Sequence, residues 1–136
     1  AFLICQTLYP LMASNDHGSI ILISSIYGSV GPDMALYKGT AMENPVGYGA
    51  SKGGLLQLMR YLSTLLAPKI RVNALSPGGV ERGQPQAFID RYSERTPLGR
   101  MASERDLVGP AVFLASDMSA YITGHDLKVD GGWSAW

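Results

Sequence analysis

The chain has 136 residues, 46% of them hydrophobic, with 11 Lys and Arg against 11 Asp and Glu. That is enough for one modest domain with a real core, and the zero net charge argues against nucleic acid or an anionic membrane as a partner. A single cysteine, Cys5, excludes an internal disulfide and a Cys-based zinc cluster and fits a reducing cytoplasm, while no apolar run reaches the ~18 residues that span a bilayer.

Residues 1–14 carry Phe2, Leu3, Leu8, Leu11 and Met12 at helical spacing, and the polar run Ser14, Asn15, Asp16, His17, Gly18 ends that helix. Residues 19–24 are a short continuous apolar run, which predicts a strand buried on both faces. Residues 27–46 contain Gly and Pro and are too long for a simple connector; such segments are commonly functional or mobile. Residues 48–66 predict a helix, with Leu55, Leu56, Leu58, Met59, Leu62, Leu65 and Leu66 on one broad apolar face. A second strand runs over 70–75 and is stopped by Ser76, Pro77, Gly78 and Gly79. Residues 84–102 are polar and loop-like, with a short helix around 85–92. Ser103 is a helix N-cap, followed by the apolar stripe Leu107, Val108, Val112, Phe113 and Leu114. A third strand covers 127–130, and Gly131 and Gly132 end it.

This alternation of helix and strand predicts an α/β fold with a parallel sheet. Three strands make a thin sheet whose outer members need neighbours. The chain also opens without Met, directly in Ala1-Phe2-Leu3-Ile4. Both features predict a piece of a longer protein. In parallel α/β sheets, ligands collect outside the carboxyl ends of the strands. Ser24 and Ser25, then Ser76 to Val80, then Asp130 to Gly132, all fall at such ends. Tyr48 and Lys52 stand one helical turn apart at the head of the long helix. An ammonium beside a phenol favours the phenolate, so the pair suits proton transfer at a hydroxyl or carbonyl carbon. Alone, a Tyr-x-x-x-Lys spacing is a weak signal.

Four blocks in order strengthen it: Gly18 to Gly28, Tyr48-Gly49-Ala50-Ser51-Lys52-Gly53-Gly54, Arg71 to Val80, and Tyr121-Ile122-Thr123-Gly124 through Asp130-Gly131-Gly132. With them the chain resembles the C-terminal half of the short-chain dehydrogenase/reductase family over nearly its whole length. The resemblance implies a Rossmann-type doubly wound sheet, an enzyme, and NAD or NADP as cofactor. It implies Tyr48 as general acid/base, with Lys52 lowering its pKa and holding the nicotinamide ribose. Ser25, rather than Ser24, is implied to hold the reacting oxygen. Pro77, Gly78 and Val80 are implied to line the nicotinamide, and Asn73 to be structural. The expected reaction is hydride transfer between the cofactor and a secondary alcohol or ketone. The expected partners are a small-molecule substrate and further copies of the chain, as a dimer or tetramer, with no metal. Alternatives are a surface-glycan sugar epimerase or dehydratase of the same family, and a non-catalytic truncated relative that serves as an oligomerisation module.

The chain also departs from the family pattern. Arg82 stands where the family often has a Thr that contacts the nicotinamide or phosphates. Ser25 and Tyr48 are 23 positions apart, some ten more than the family usually has; the mixed polar residues from Asp33 to Glu43 either suggest a polar substrate such as a sugar or polyol or form a surface excursion far from the substrate. The Gly-rich phosphate turn of the family is not in the chain, so NAD and NADP are not distinguished. His17, His125 and Cys5 read as solvated, capping or packing residues. Arg91, Arg95 and Arg100 read as structural, with one of them a candidate for an anionic substrate group. Trp133 and Trp136 are expected to be exposed and to seal a subunit interface.

Overall fold

Helix α2 (Val46–Leu65) is the element against which the others are placed. Pro45 precedes it in an extended conformation, as expected of a residue that cannot donate to a preceding turn. Its buried positions Leu56, Met59, Leu62 and Ser63 recur every three or four residues, so one face enters the core. The computed structural model describes residues 1–15 and 17–136; Asp16 of the expected 14–18 turn lies outside them. The other elements are α1 (Phe2–Ala13), β1 (Gly18–Ile23), β2 (Ile70–Pro77), α3 (Gln86–Arg95), α4 (Glu104–Ala115) and β3 (Asp126–Val129). Short 3₁₀ turns lie at Ile26–Gly28, Met34–Tyr37 and Asp117–Ser119.

The three strands form a parallel sheet in the order β1-β2-β3. Ile23 pairs with Leu75, and Pro77 pairs with Val129. The chain therefore leaves all three strands toward the same mouth. β2 is buried along almost its whole length, as a central strand must be. β1 differs from the expectation of burial on both faces. Only Leu22 is buried, and Ile23 is 54% exposed, because β1 is an edge of the sheet among the described residues.

Arg71 of β2 docks α4: its guanidinium donates to Leu114 O, Ser116 O and Ser119 Oγ at 3.1, 3.1 and 2.8 Å. A cation placed there satisfies carbonyls that the helix end leaves open. At the other end Ser103 and Asp106 form a capping box, as the Ser103 N-cap expectation allowed. The expected α4 stripe holds only in part. Leu114 is buried, while Val108 and Val112 are 60% and 58% exposed. The segment read as mostly loop, 84–102, contains a full ten-residue helix, α3, whose Phe88 and Tyr92 are buried. No described helix is long and apolar enough to cross a membrane.

Candidate functional site

Glycine brings the end of β1 against α2. A Cβ at Gly28 would lie 2.9 Å from the Lys52 backbone carbonyl, and Cβ atoms at Gly49 and Gly53 would meet Tyr27 O and Gly28 O at 3.2 and 3.3 Å. Only side-chain-free backbones can approach so closely. The contact is pinned by Ser24, whose hydroxyl donates to Lys52 O at 3.0 Å. Ser24 is thus spent on packing. The Ser25 hydroxyl instead accepts from Tyr27 N–H at 3.2 Å, which leaves its own proton to donate.

Lys52 Nζ lies 5.6 Å from the centre of the Tyr48 ring and donates to Ile23 O at 3.0 Å. An ammonium has three donors, so this carbonyl orients it without exhausting it. Tyr48 is 42% exposed, and its ring opens to a cavity of about 460 Å³ shared with Ser25, Lys52, Pro77, Gly78 and Val80. Every residue assigned from the sequence to the site thus borders one cavity. Its volume is that of an ordinary small-molecule site.

The Gly78-Gly79 turn at the end of β2 is held from beneath. The Tyr92 hydroxyl accepts from Gly79 N–H at 2.5 Å, and a Cβ on Gly79 would lie 2.7 Å from the Tyr92 ring. Burial is the main cause that pushes the Tyr92 phenol up to about 12, partly opposed by that N–H. Asn73 is fully buried; it donates to Ile122 O at 2.9 Å and accepts from His125 N–H at 3.0 Å, so it is structural.

Three phenols that sequence reasoning did not single out also belong here. Tyr27 and Tyr37 line the cavity, as does the buried Tyr92. Tyr37 comes from the long 27–46 segment. The sequence signal was the length of that segment; what it lacked was the partner, since Tyr37 packs on Phe88 of α3 at 5.3 Å between ring centres. The segment is therefore not a surface excursion. Leu36 is 3% exposed, and Met42 borders the cavity.

The arginines are engaged within the protein. Arg91 donates to Leu36 O and Lys38 O at 3.0 and 2.6 Å, Arg95 pairs with Asp33 at 2.9 Å, and Arg100 pairs with Asp106 at 2.8 Å. Arg82 borders the cavity but pairs with Glu104 at 3.0 Å on an exposed surface. Trp133 corrects an expectation: it is 2% exposed, stacked with Tyr92 and with the Arg95 guanidinium 4.7 Å from its ring, and of the two tryptophans Trp136 is the open one, at 75%. Cys5 is buried and packs in the core, and both His17 and His125 are exposed.

The parallel sheet, with its cavity at the carboxyl ends of the strands, defines a Rossmann-type α/β domain. The family model described as enoyl-(acyl carrier protein) reductase matches residues 1–134. A short-chain dehydrogenase from Leptospira borgpetersenii, solved with bound NAD+, is 40% identical and superposes with a TM-score of 0.90, covering 98% of this chain and 51% of that one. A gluconate 5-dehydrogenase from Burkholderia cenocepacia, in complex with NADP and tartrate, is 31% identical with a TM-score of 0.85, covering 99% and 52%. L-rhamnose 1-dehydrogenase (NAD(P)(+)) of Azotobacter vinelandii is 40% identical over 122 residues, 85% of this chain and 44% of its own length. The chain belongs to the short-chain dehydrogenase/reductase family. It spans about half the length of the curated relatives it matches.

The residues present fit one end of a dinucleotide. An ammonium, a phenol and a serine hydroxyl surround the cavity beside the Pro77-Gly78 turn. That donor set suits a ribose hydroxyl and a carboxamide; a Gly-rich phosphate turn is not among the described residues.

Proposed function

We propose that this chain is the C-terminal, catalytic and substrate-binding portion of a single Rossmann-type domain, in an enzyme that interconverts a secondary alcohol and a ketone with NAD or NADP. The observation that carries the reading is the convergence of Tyr48, Lys52 and Ser25 on one cavity. When bound, NAD(P) supplies the hydride donor or acceptor. Pro77, Gly78 and Val80 would line its nicotinamide end, and Lys52 would reach its ribose. Ser25 donates its free proton to the substrate oxygen and holds it beside Tyr48. The Tyr48 hydroxyl gives a proton to that oxygen in reduction and takes one in oxidation. Lys52, tethered to Ile23 O, keeps a positive charge beside the ring during that transfer.

Sugars or polyols are the substrate class this reading favours, supported by the rhamnose and gluconate enzymes among the relatives. A cytoplasmic homo-oligomer remains part of the proposal, with Trp136 rather than Trp133 available to an interface. The test is Tyr48→Phe in the full-length protein. Turnover with NAD(P) drops roughly 100-fold or more if the phenol moves the proton, while the melting temperature stays put because Tyr48 is half exposed. Unchanged turnover would reject the role.

A further inference from the structure

Beyond Tyr48, Lys52 and Ser25, the cavity wall holds a second polar group whose donors do not balance. Tyr37 Oη accepts from Asn44 Nδ2 at 3.2 Å and lies 3.4 Å from Tyr27 Oη. Each phenol carries one proton. One of the two can serve the contact between them, whichever residue donates. The other has no partner within the trio, and Tyr27 and Tyr37 both line the cavity that Tyr48 also lines. Burial first, then the hydrogen bond with Tyr37, pushes the Tyr27 phenol far above the usual tyrosine range, so it remains an O–H donor.

The trio is held in place. Arg91 of α3 donates to both Leu36 O and Lys38 O, the carbonyls on either side of Tyr37. Asp33, which caps the 3₁₀ turn carrying Tyr37, pairs with Arg95, whose guanidinium rests 4.7 Å from the Trp133 ring. Tyr37 itself packs against Phe88. A side chain anchored on three sides, with a spare donor in a cavity wall, is pre-organised for a ligand oxygen.

We propose that the Tyr27–Tyr37 phenol pair, fixed by Asn44 and the Arg91 clamp, is a specificity element that donates a hydrogen bond to a second substrate oxygen, apart from the carbinol that reacts at Tyr48. The inference rests on the oxidoreductase reading above. It assigns the substrate to compounds with at least two oxygen functions, such as a polyol, sugar or hydroxy acid, and disfavours simple alcohols. Met42, Phe88 and Met101 pack in the same cluster as the pair, and the polar Gln84 and Arg82 of the cavity are engaged elsewhere, Gln84 with Val80 O and Arg82 N–H and Arg82 with Glu104.

The experiment uses the full-length protein and two probe sets: pentitols, aldoses and aldonates on one side, and 2-pentanol and 2-hexanol on the other. Wild type prefers the first set in kcat/KM. Tyr37→Phe removes one oxygen and keeps the ring packed on Phe88. It lowers kcat/KM for the best polyoxygenated probe roughly 10-fold or more, chiefly through KM, and leaves the simple alcohols unchanged. Tyr48→Phe lowers both sets together. A wild-type preference for simple alcohols, or a preference that Tyr37→Phe leaves intact, overturns the inference without touching the role of Tyr48. Loss of both sets in Tyr37→Phe with an unchanged melting temperature also overturns it, since the hydroxyl would then serve the reacting oxygen. If wild type turns over neither set with NAD(P), the oxidoreductase reading falls and takes this inference with it. Equilibrium dialysis of a radiolabelled polyoxygenated probe gives a readout independent of turnover: Tyr37→Phe weakens its retention, and equal retention counts against the hydrogen bond.

Discussion

Between α2 and the sheet, Leu22, Leu56, Met59, Leu62, Ile70 and Val72 pack as an aliphatic cluster with Cys5. Beyond the carboxyl ends of the strands a second cluster gathers Ile26, Leu36, Phe88, Tyr92, Met101 and Trp133. The first is built from regular elements and presents aliphatic side chains with the two sulfurs of Met59 and Cys5 and no hydroxyl. The second is built from turns, α3 and the chain's last residues, and most of its rings carry a polar end. Its rings form a closed circuit. Tyr37 packs on Phe88, Phe88 on Tyr92, Tyr92 on Trp133 and Trp133 on Tyr27, at 5.3 to 5.9 Å between centres. The Tyr27–Tyr37 hydroxyl contact closes it. The aliphatic cluster excludes water from a scaffold; the aromatic one does the same while holding Gly79 N–H with the Tyr92 hydroxyl and supplying tyrosines to the cavity wall. Stability and site geometry should therefore separate in the first cluster and travel together in the second.

The largest expected effect on stability tests the aliphatic side. Met59 is fully buried in the middle of α2. Met59→Ala should cost about 2–5 kcal/mol, the usual range for a buried large-to-alanine truncation. Denaturant unfolding of the full-length protein measures it. Well below the melting temperature, kcat/KM should stay within about twofold of wild type, because no Met59 atom borders the cavity. A large fall in kcat/KM would erase the distinction between the clusters.

Tyr92→Phe probes the aromatic side with a smaller change. The ring and its stacking on Trp133 remain, while Gly79 N–H loses its acceptor. Gly79 is only half-buried, so the loss should cost about 0.5–1.5 kcal/mol, the net worth of an ordinary hydrogen bond. Here the loss should reach the site, because Gly79 belongs to the turn that ends β2 and borders the cavity. Retention of cofactor and kcat/KM should both fall, beyond what the lost stability explains. Activity equal to wild type at matched stability would show that the phenol only packs.

The two clusters were not equally legible. The spacing of Leu56, Met59 and Leu62 announces an apolar helix face, and the run 70–75 announces a strand, because both follow from local pattern; which strand is buried on both faces does not, since that was expected of 19–24 and holds for β2. That Tyr48, Lys52 and Ser25 would meet at one mouth of the sheet was equally readable, since each lies at a strand end or helix start, and all three border one cavity. The aromatic cluster was not. Trp133 meets Tyr27 and Tyr92 across 106 and 41 positions, and no local pattern encodes such contacts. An aromatic near the end of the chain reads as exposed until the turn that folds it inward is seen. The 27–46 segment was flagged by its length, but the residue that matters there, Tyr37, gains its meaning from Arg91 and Phe88 on α3. The short helix expected around 85–92 was legible in kind but not in extent: α3 runs on to Arg95, and only Phe88 and Tyr92 of it are buried.

That inward turn supplies the last and smallest effect. Asp130 accepts from Gly132 N–H at 2.9 Å and from Ser134 N–H and Oγ at 3.0 and 2.5 Å, closing the turn that carries Trp133. Partial burial pushes its carboxyl up, but these hydrogen bonds from Ser134 and Gly132, aided by Lys128, outweigh burial and hold it below its ordinary 3.8. A carboxyl whose folded value is depressed contributes stability above its unfolded value. That contribution starts to fade as pH falls through 3.8 and is gone below the folded value. Asp130→Asn should therefore lower the melting temperature modestly at pH 7, and the gap to wild type should narrow on acidification below about pH 4. The effect is small because solvent screens a group that is only partly buried. A gap that stays constant from pH 7 to pH 3 would mean that the turn is held by shape alone. In that case the aromatic cluster would resemble the aliphatic one more closely than its polar ends suggest.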